Sequence, residues 1–220
     1  MSCPGPGCCC PHHNLFEERE ARGELKAYRK KGPDAQNREL IDVLARQGIQ
    51  GATAVDIGAG VGSIGHGLVA AGAARVTDVD GSPAFLAVAR DEAERLGTAD
   101  RWRFEEGDYV PMAGDIGPAD VITLGRVLCC YADWRGLVTA STAQAQRLYG
   151  VVYPISRWWI RLGGFVANPV IGLFTNRFRI YVHPDREIDA AIQAAGLERI
   201  HLHRGMFWQT AVYRRTMEAA

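Results

Sequence analysis

Nine consecutive residues, Val55-Asp56-Ile57-Gly58-Ala59-Gly60-Val61-Gly62-Ser63, carry the strongest chemical signal in this 220-residue sequence. Three alternate glycines behind an apolar run permit a tight turn, let a ligand approach the backbone, and leave the first amides of a following helix free to donate hydrogen bonds. A carboxylate, Asp80 with Gly81 beside it, stands 22 residues after Gly58, where it can accept from both hydroxyls of a ribose. Further on, Gly107-Asp108-Tyr109 places a second carboxylate and an aromatic ring beside an adenine. Asp56, Gly58, Gly60, Gly62, Asp80, Gly81, Asp108 and Tyr109 together describe an adenosine pocket.

Such a pocket needs a scaffold that brings the ends of successive strands to one edge. From residue 52 onward, short apolar runs alternate with helical stretches, the pattern of an α/β fold with a parallel sheet covered on both faces. Strands are expected over Ala52–Ile57, Ala74–Val79, Trp102–Glu105, Val121–Leu124, Leu148–Tyr153, Glu198–His203 and Phe207–Arg214. Helices are expected over Ser63–Ala71, Pro83–Leu96, Leu137–Gln146 and Asp185–Ala195. Residues 14–48 read as a helical cap: Leu15–Lys31 ends at Gly32-Pro33, and a second helix, capped by Asp34, puts Leu40, Ile41, Val43 and Leu44 on one face before Gly48. Residues 1–13, rich in Pro, Gly, Cys and His and without periodicity, read as a flexible tail. Residues 155–181 read as an irregular apolar insertion in the domain that spans 14–220.

Length argues for one domain, and 47% hydrophobic with 23% charged residues is the composition of a soluble globular chain with a real core. Lys+Arg 25 balance Asp+Glu 25, which disfavours a general affinity for nucleic acid. The absence of both a long apolar run and a charged-then-apolar leader gives the expectation of a cytoplasmic protein with reduced cysteines. The zero net charge hides an asymmetry, because Trp134 to Pro184 contains six Arg and no Asp or Glu.

The glycine loop, Asp80 and Asp108 resemble the class I S-adenosylmethionine-dependent methyltransferases, whose first motif reads here as Asp56-x-Gly58-x-Gly60-x-Gly62. The dehydrogenase fingerprint G-x-G-x-x-G is the competing reading, and its third glycine falls on Ser63. The resemblance implies a three-layer sandwich with a seven-stranded, mostly parallel sheet whose last strand runs antiparallel. It also implies S-adenosyl-L-methionine as cofactor and S-adenosyl-L-homocysteine as product. From Tyr28 onward the layout is similar to that of the magnesium-protoporphyrin O-methyltransferases: a leading helix containing Tyr-Arg, the glycine loop, Tyr153-Pro154 after the fifth strand, and Tyr181-Val182-His183 before the last helix. Where that family has Leu-Asp-Val and His-Tyr-Pro after the fourth strand, this chain reads Leu124-Gly125-Arg126-Val127-Leu128-Cys129-Cys130-Tyr131-Ala132. Gly125 replaces the acid and Cys130 the histidine, so the expected acceptor is a small anionic or aromatic molecule, with O-methylation favoured, and not specifically a porphyrin.

Methyl transfer is an in-line displacement at a sulfonium, so the protein mainly aligns the acceptor and excludes water. Phenol and amine acceptors also need a base. His183, Tyr131 and Tyr28 are the catalytic candidates, against the blander readings of a turn histidine, a packed aromatic and a surface tyrosine. Cys130, Arg157, Trp158 and Arg179 are the acceptor-binding candidates. In the insertion, aromatic rings interleave with guanidinium groups that grip carboxylate or phosphate bidentately. The same insertion also reads as a lid completing the core, or as a peripheral contact with an anionic membrane.

Cys3, Cys8, Cys9 and Cys10 crowd the tail beside His12 and His13, and Cys129-Cys130 follow the fourth strand. Structural zinc sites use two separated pairs at short fixed spacings, and the tail lacks the second pair, so no metal ligand set is assigned. An alternative function is the binding, or methylation, of a soft metal or metalloid through these thiols. His201 and His203 share one side of a strand and read as solvated.

Overall fold

The computed structural model describes residues 18–157 and 181–216. Helix α1 (Glu18–Lys31) and α2 (Ala35–Arg46) precede an alternation of β1 (Thr53–Ile57), α3 (Ser63–Ala70), β2 (Arg75–Asp80), α4 (Pro83–Arg95), β3 (Trp102–Glu106), α5 (Tyr109–Ile116) and β4 (Ala119–Gly125). Then come α6 (Trp134–Gln144), β5 (Ala145–Pro154), α7 (Asp185–Ala194), β6 (Leu197–Arg204) and β7 (Trp208–Arg215). The strands form one sheet in the order β3-β2-β1-β4-β5-β7-β6. Neighbours from β3 to β5 are parallel, and β7 runs antiparallel between β5 and β6, as the resemblance implied. The expected elements are all present within a few residues of their expected limits.

A 3-10 turn, Ala99–Arg101, and one helix were not expected. Helix α5 contains Pro111 and Gly114, which read as breakers. Pro111 lies in the first turn, where its missing N–H would have had no partner, and Asp108 caps that turn by accepting from Val110 N.

Two apolar layers cover the sheet. On one face Leu40, Leu44, Ile64 and Leu68 pack on Ala54, Val76, Val121 and Leu148. On the other, Tyr109, Leu137, Ile188 and Ile192 pack on Ile57, Ile122, Leu124 and Val151. Each fully buried side chain of this size contributes about 1.5–3 kcal/mol. Helix α1 joins the body through a smaller cluster, Ala21 and Leu25 against Val61, Phe85 and Val88. The fully buried Glu92 pairs with Arg95 and Arg29, both at 2.6 Å, and these guanidinium groups hold its carboxyl below the usual range. His201 and His203 are both hydrogen-bonded to Glu39, at 2.9 and 2.6 Å, tying α2 to β6.

The parallel strands deliver Ile57, Asp80, Glu106 and Gly125 to a single edge of the sheet. The tail, its cysteines, and the insertion residues Trp158 and Arg179 lie outside the described residues. Among the described residues, no helix is long and apolar enough to cross a membrane.

Candidate active site

After β1 the chain turns through Gly58, Gly60 and Gly62 at φ 65°, 59° and 72°, the left-handed region that costs a residue with a side chain about 1–2 kcal/mol. Gly58 N donates to Val79 O at 2.8 Å, which fixes the loop to β2. A Cβ at Gly58 would lie 2.7 Å from Val127 Cγ2, so glycine keeps open the space between the loop and the turn after β4.

Asp80 ends β2 and accepts from Gly60 N at 3.0 Å through one oxygen and from Ser82 N at 2.8 Å through the other. Burial raises its pKa while these two amides lower it, with a net upward shift. Each carboxylate oxygen keeps accepting capacity for a ribose hydroxyl. Asp108, besides capping α5, accepts from Tyr131 OH at 2.8 and 3.1 Å. Tyr109 follows in the core, and burial pushes its pKa up to about 12. The two carboxylates and the glycine loop form one wall of a cavity of about 350 Å³, in the size range of ligand pockets.

Asp56 and Gly62, expected at the cofactor, lie outside the lining, and Asp56 instead holds the elements beneath it. Asp56 is buried and accepts from Thr123 Oγ1 at 2.7 Å and Gly65 N at 3.2 Å, which ties α3 to the sheet, and burial pushes its pKa up to about 7. Opposite it in the β1–β2 register stands Asp78, also buried, with neither oxygen hydrogen-bonded. Burial raises the Asp78 pKa well above its ordinary value, with Asp56 and Asp80 adding to the shift.

The other end of the cavity is lined by Glu24, Asp34, Asn37, Arg126, Cys130 and Tyr131. Arg126 holds a left-handed φ of 64°, and its N–H donates to Val152 O at 2.9 Å. Its guanidinium reaches Asp34 at 2.9 Å and Gln36 at 3.0 Å and lies 4.8 Å from the Trp208 ring centroid, while its Nε is buried without a hydrogen-bond partner. Asn37 donates to Ser63 Oγ at 2.9 Å, and its Oδ1 is buried without a partner.

The cavity thus gathers Gly58, Gly60, Asp80, Gly81, Asp108, Tyr109, Cys130 and Tyr131 from the residues expected in the sequence. Tyr28 packs outside its lining, with its ring 6.0 Å from that of His66. His183 also stands outside, its Nε2 2.9 Å from Tyr131 O and its ring stacked on Tyr181 at 5.6 Å; burial lowers its pKa. Arg157 is exposed beyond β5. Glu24, Asn37, Ser63 and Arg126 were not selected from the sequence. Arg126 was visible inside the Gly125–Ala132 stretch, and Asn37 as a polar residue one turn before Leu40 and Ile41 on the apolar stripe of α2.

Among the described residues, no group of three or more His, Cys, Asp or Glu is arranged to hold a metal ion. The cavity does fit S-adenosylmethionine: Asp80, Asp108 and Tyr109 line it, Asp80 keeps accepting capacity, and the glycine loop leaves room that a side chain would fill.

A family model described as a methyltransferase domain matches residues 54–147. No curated protein sequence matches the chain. Among solved structures, magnesium protoporphyrin IX methyltransferase from Synechocystis PCC 6803 with bound SAH is similar at TM-score 0.70 and 19% identity, over 94% of this chain and 99% of that one. An O-methyltransferase family 2 protein from Planctomyces limnophilus in complex with apigenin is similar at TM-score 0.66 and 19% identity, over 91% of this chain and 62% of that one. The [4+2]-cyclase SpnF is similar at TM-score 0.70 and 14% identity, over 97% of this chain and 98% of that one. At these identities the likeness establishes the fold, and the cyclase shows that this fold also serves other chemistry. The stretch 54–147 that matches the methyltransferase domain model carries the glycine loop, Asp80 and Asp108, and the chain as a whole has the fold of these methyltransferases.

Proposed function

We propose that the protein transfers a methyl group to an oxygen of a small acceptor bearing a carboxylate or similar anion, with Arg126 as the anchor. The supporting observation is Arg126 itself: beside Glu24 and Asp34, it is the one Lys or Arg side chain in the lining among the described residues, and its Nε is buried without a hydrogen-bond partner. S-adenosylmethionine, when bound, supplies a methyl group on a sulfonium, an electrophile that needs no acid catalysis.

The chain's own groups then have three tasks. Asp80 and Asp108 hold the adenosine and so fix the direction of the methyl group. Arg126, pinned at its backbone by Val152 and at its guanidinium by Asp34 and Gln36, offers its remaining N–H groups to the acceptor's anion. Cys130 and Tyr131 close the wall behind the acceptor, Tyr131 through its hydrogen bond to Asp108. A carboxylate acceptor is already ionised near neutrality and needs no base. That suits a cavity whose lining includes neither His183 nor Tyr28. In this reading His183 positions Tyr131 through its carbonyl.

The test is release of S-adenosylhomocysteine with a panel of small aromatic carboxylates, phenols and neutral analogues. Arg126→Gln is expected to raise the KM of an anionic acceptor about ten-fold while leaving cofactor affinity unchanged. Equal kcat/KM for neutral and anionic acceptors in both parent and variant would overturn the anionic reading, and no release with any acceptor would overturn the reaction.

A further inference from the structure

Cys129 and Cys130 sit in the tight turn after β4, where Cys130 N donates to Val127 O at 2.9 Å. Their environments differ. Cys129 is buried behind the cavity and donates its S–H to Arg126 O at 2.9 Å, whereas Cys130 is half-buried and lines the acceptor end. The two sulfurs are 3.6 Å apart. In the methyl transfer proposed above Cys130 serves only as part of the wall, and neither thiol has a chemical role.

We propose that Cys129 and Cys130 form a reversible dithiol–disulfide pair, oxidised by hydroperoxides, that controls the acceptor end of the cavity. The Cys130 thiolate attacks the peroxide O–O bond, giving Cys130 sulfenic acid and releasing the alcohol, or water in the case of hydrogen peroxide. The Cys129 thiol then attacks that sulfur. The S–S bond forms, the S–O bond breaks and water leaves, so two electrons have passed from the pair to the peroxide. A dithiol reductant returns two electrons and two protons by thiol–disulfide exchange.

Three features assign the roles. Cys130 has access to the cavity, and contact with the Cys129 thiol lowers its pKa, which favours the thiolate that peroxides attack. Cys129 is buried in contact with it, with its own pKa raised by the same contact and by burial, the setting of a resolving thiol. Adjacent residues have Cα atoms about 3.8 Å apart, below the separation of about 4.4–6.8 Å usual for disulfides. The bridge is therefore formed under strain, and strained disulfides are the readily reduced ones.

The turn is also coupled to its surroundings. Closing the bond requires the sulfurs to approach from 3.6 Å to about 2.05 Å, which draws Cys129 Sγ away from Arg126 O. Arg126 is the strained residue of the acceptor end. On the other side, Cys129 O accepts from Tyr181 N at 2.8 Å, and Tyr131 binds both His183 and Asp108. Oxidation is thus expected to displace the groups that face the acceptor, while the glycine loop and Asp80, on β1 and β2, keep their places.

The effect on turnover rests on the acceptor reading above, but the bond itself does not. The test uses the full chain, treated with limiting hydrogen peroxide, alkylated, digested and mapped by mass spectrometry. The peptide holding Cys129 and Cys130 should lose two hydrogens with no added label, and dithiothreitol should restore both alkylation sites. In parallel, turnover should fall about ten-fold or more and recover with the reductant, while cofactor affinity measured by calorimetry stays within about two-fold. Cys129→Ser, outside the cavity lining, should keep parental turnover before treatment and then lose it without recovery, as Cys130 proceeds to the sulfinic acid. The proposal is overturned if this peptide stays reduced while the tail cysteines oxidise, if it is found cross-linked to the tail instead, or if Cys129→Ser recovers as the parent does. A bridge that forms without a change in turnover overturns the control function alone and leaves the methyl-transfer reading standing.

Discussion

The two ends of the cavity are built by different means. At the adenosine end, short loops follow β1, β2 and β3 directly, and the polar groups are backbone amides and carboxylates set within a few residues of a strand end: Gly58, Gly60, Asp80 and Asp108. At the acceptor end the wall is assembled from distant parts of the chain: Glu24 from α1, Asn37 from α2, and Arg126 and Cys130 from the turn after β4. The first end depends on local backbone geometry. The second depends on α1 and α2 being docked, through Leu25 on Phe85 and through Leu40 and Ile41 on the sheet. An end made of loops at strand termini can stay fixed while an end made of docked helices and one strained turn varies with its acceptor. That contrast accounts for a fold that serves several chemistries around one pocket position.

The largest effect that would sharpen this contrast is expected at the point where the two ends touch. Gly58→Ala should lower stability by about 2–4 kcal/mol, because a side chain must be held at left-handed φ and the β-branched Val127 must give way. Urea unfolding reads the loss, and both cofactor affinity and acceptor KM should worsen. A stable variant with only its cofactor affinity changed would mean that the ends are independent even here.

Next, Asp80→Ala leaves the ribose hydroxyls without an acceptor and releases the amides of Gly60 and Ser82. Cofactor affinity should fall by about 1.5–3 kcal/mol, with the acceptor KM little changed at saturating cofactor. Calorimetry showing the parental Kd would contradict the assignment of this end to adenosine.

The smallest expected effect concerns the support beneath the adenosine end. Asp56, with its pKa pushed up to about 7, and Asp78, with its pKa raised well above the ordinary value by burial, both bind protons more tightly in the folded chain than in the unfolded one. Their stabilising protonation is complete below the unfolded carboxylate range, near pH 4, and is lost as pH rises through the folded pKa values, so stability should fall from about pH 4 to above pH 7. Asp78→Asn removes one of these groups. Its Tm should exceed the parent's at pH 8 by the equivalent of about 1–2 kcal/mol and should match it near pH 4. An unchanged pH slope would show that Asp78 does not titrate in this range.

How much was legible in the sequence follows the same division. The glycines, Asp80 and Asp108 could be read because each owes its place to a strand that ends next to it, and apolar runs mark strand ends. Helix α5 was missed because Pro111 and Gly114 are breakers in most settings; only the position of Pro111 in a capped first turn removes the penalty. Asn37 and Glu24 were missed because nothing local separates a pocket-facing polar residue on a helix from a solvated one.

The sequence by itself determined the alternation of strands and helices, the glycine loop and the carboxylates at the strand ends, and the absence of a basic surplus for nucleic acid, since these depend on periodicity, glycine geometry and charge count. Only the tertiary structure decided which side chains share the acceptor end. It turned Arg126 into the cavity by a left-handed backbone, committed Tyr131 to Asp108, withdrew His183 and Tyr28 from the lining, and set two sulfurs in contact with one of them lining the cavity. These outcomes come from packing between residues as much as a hundred positions apart, where docking of the helices, and not local propensity, fixes where each side chain points.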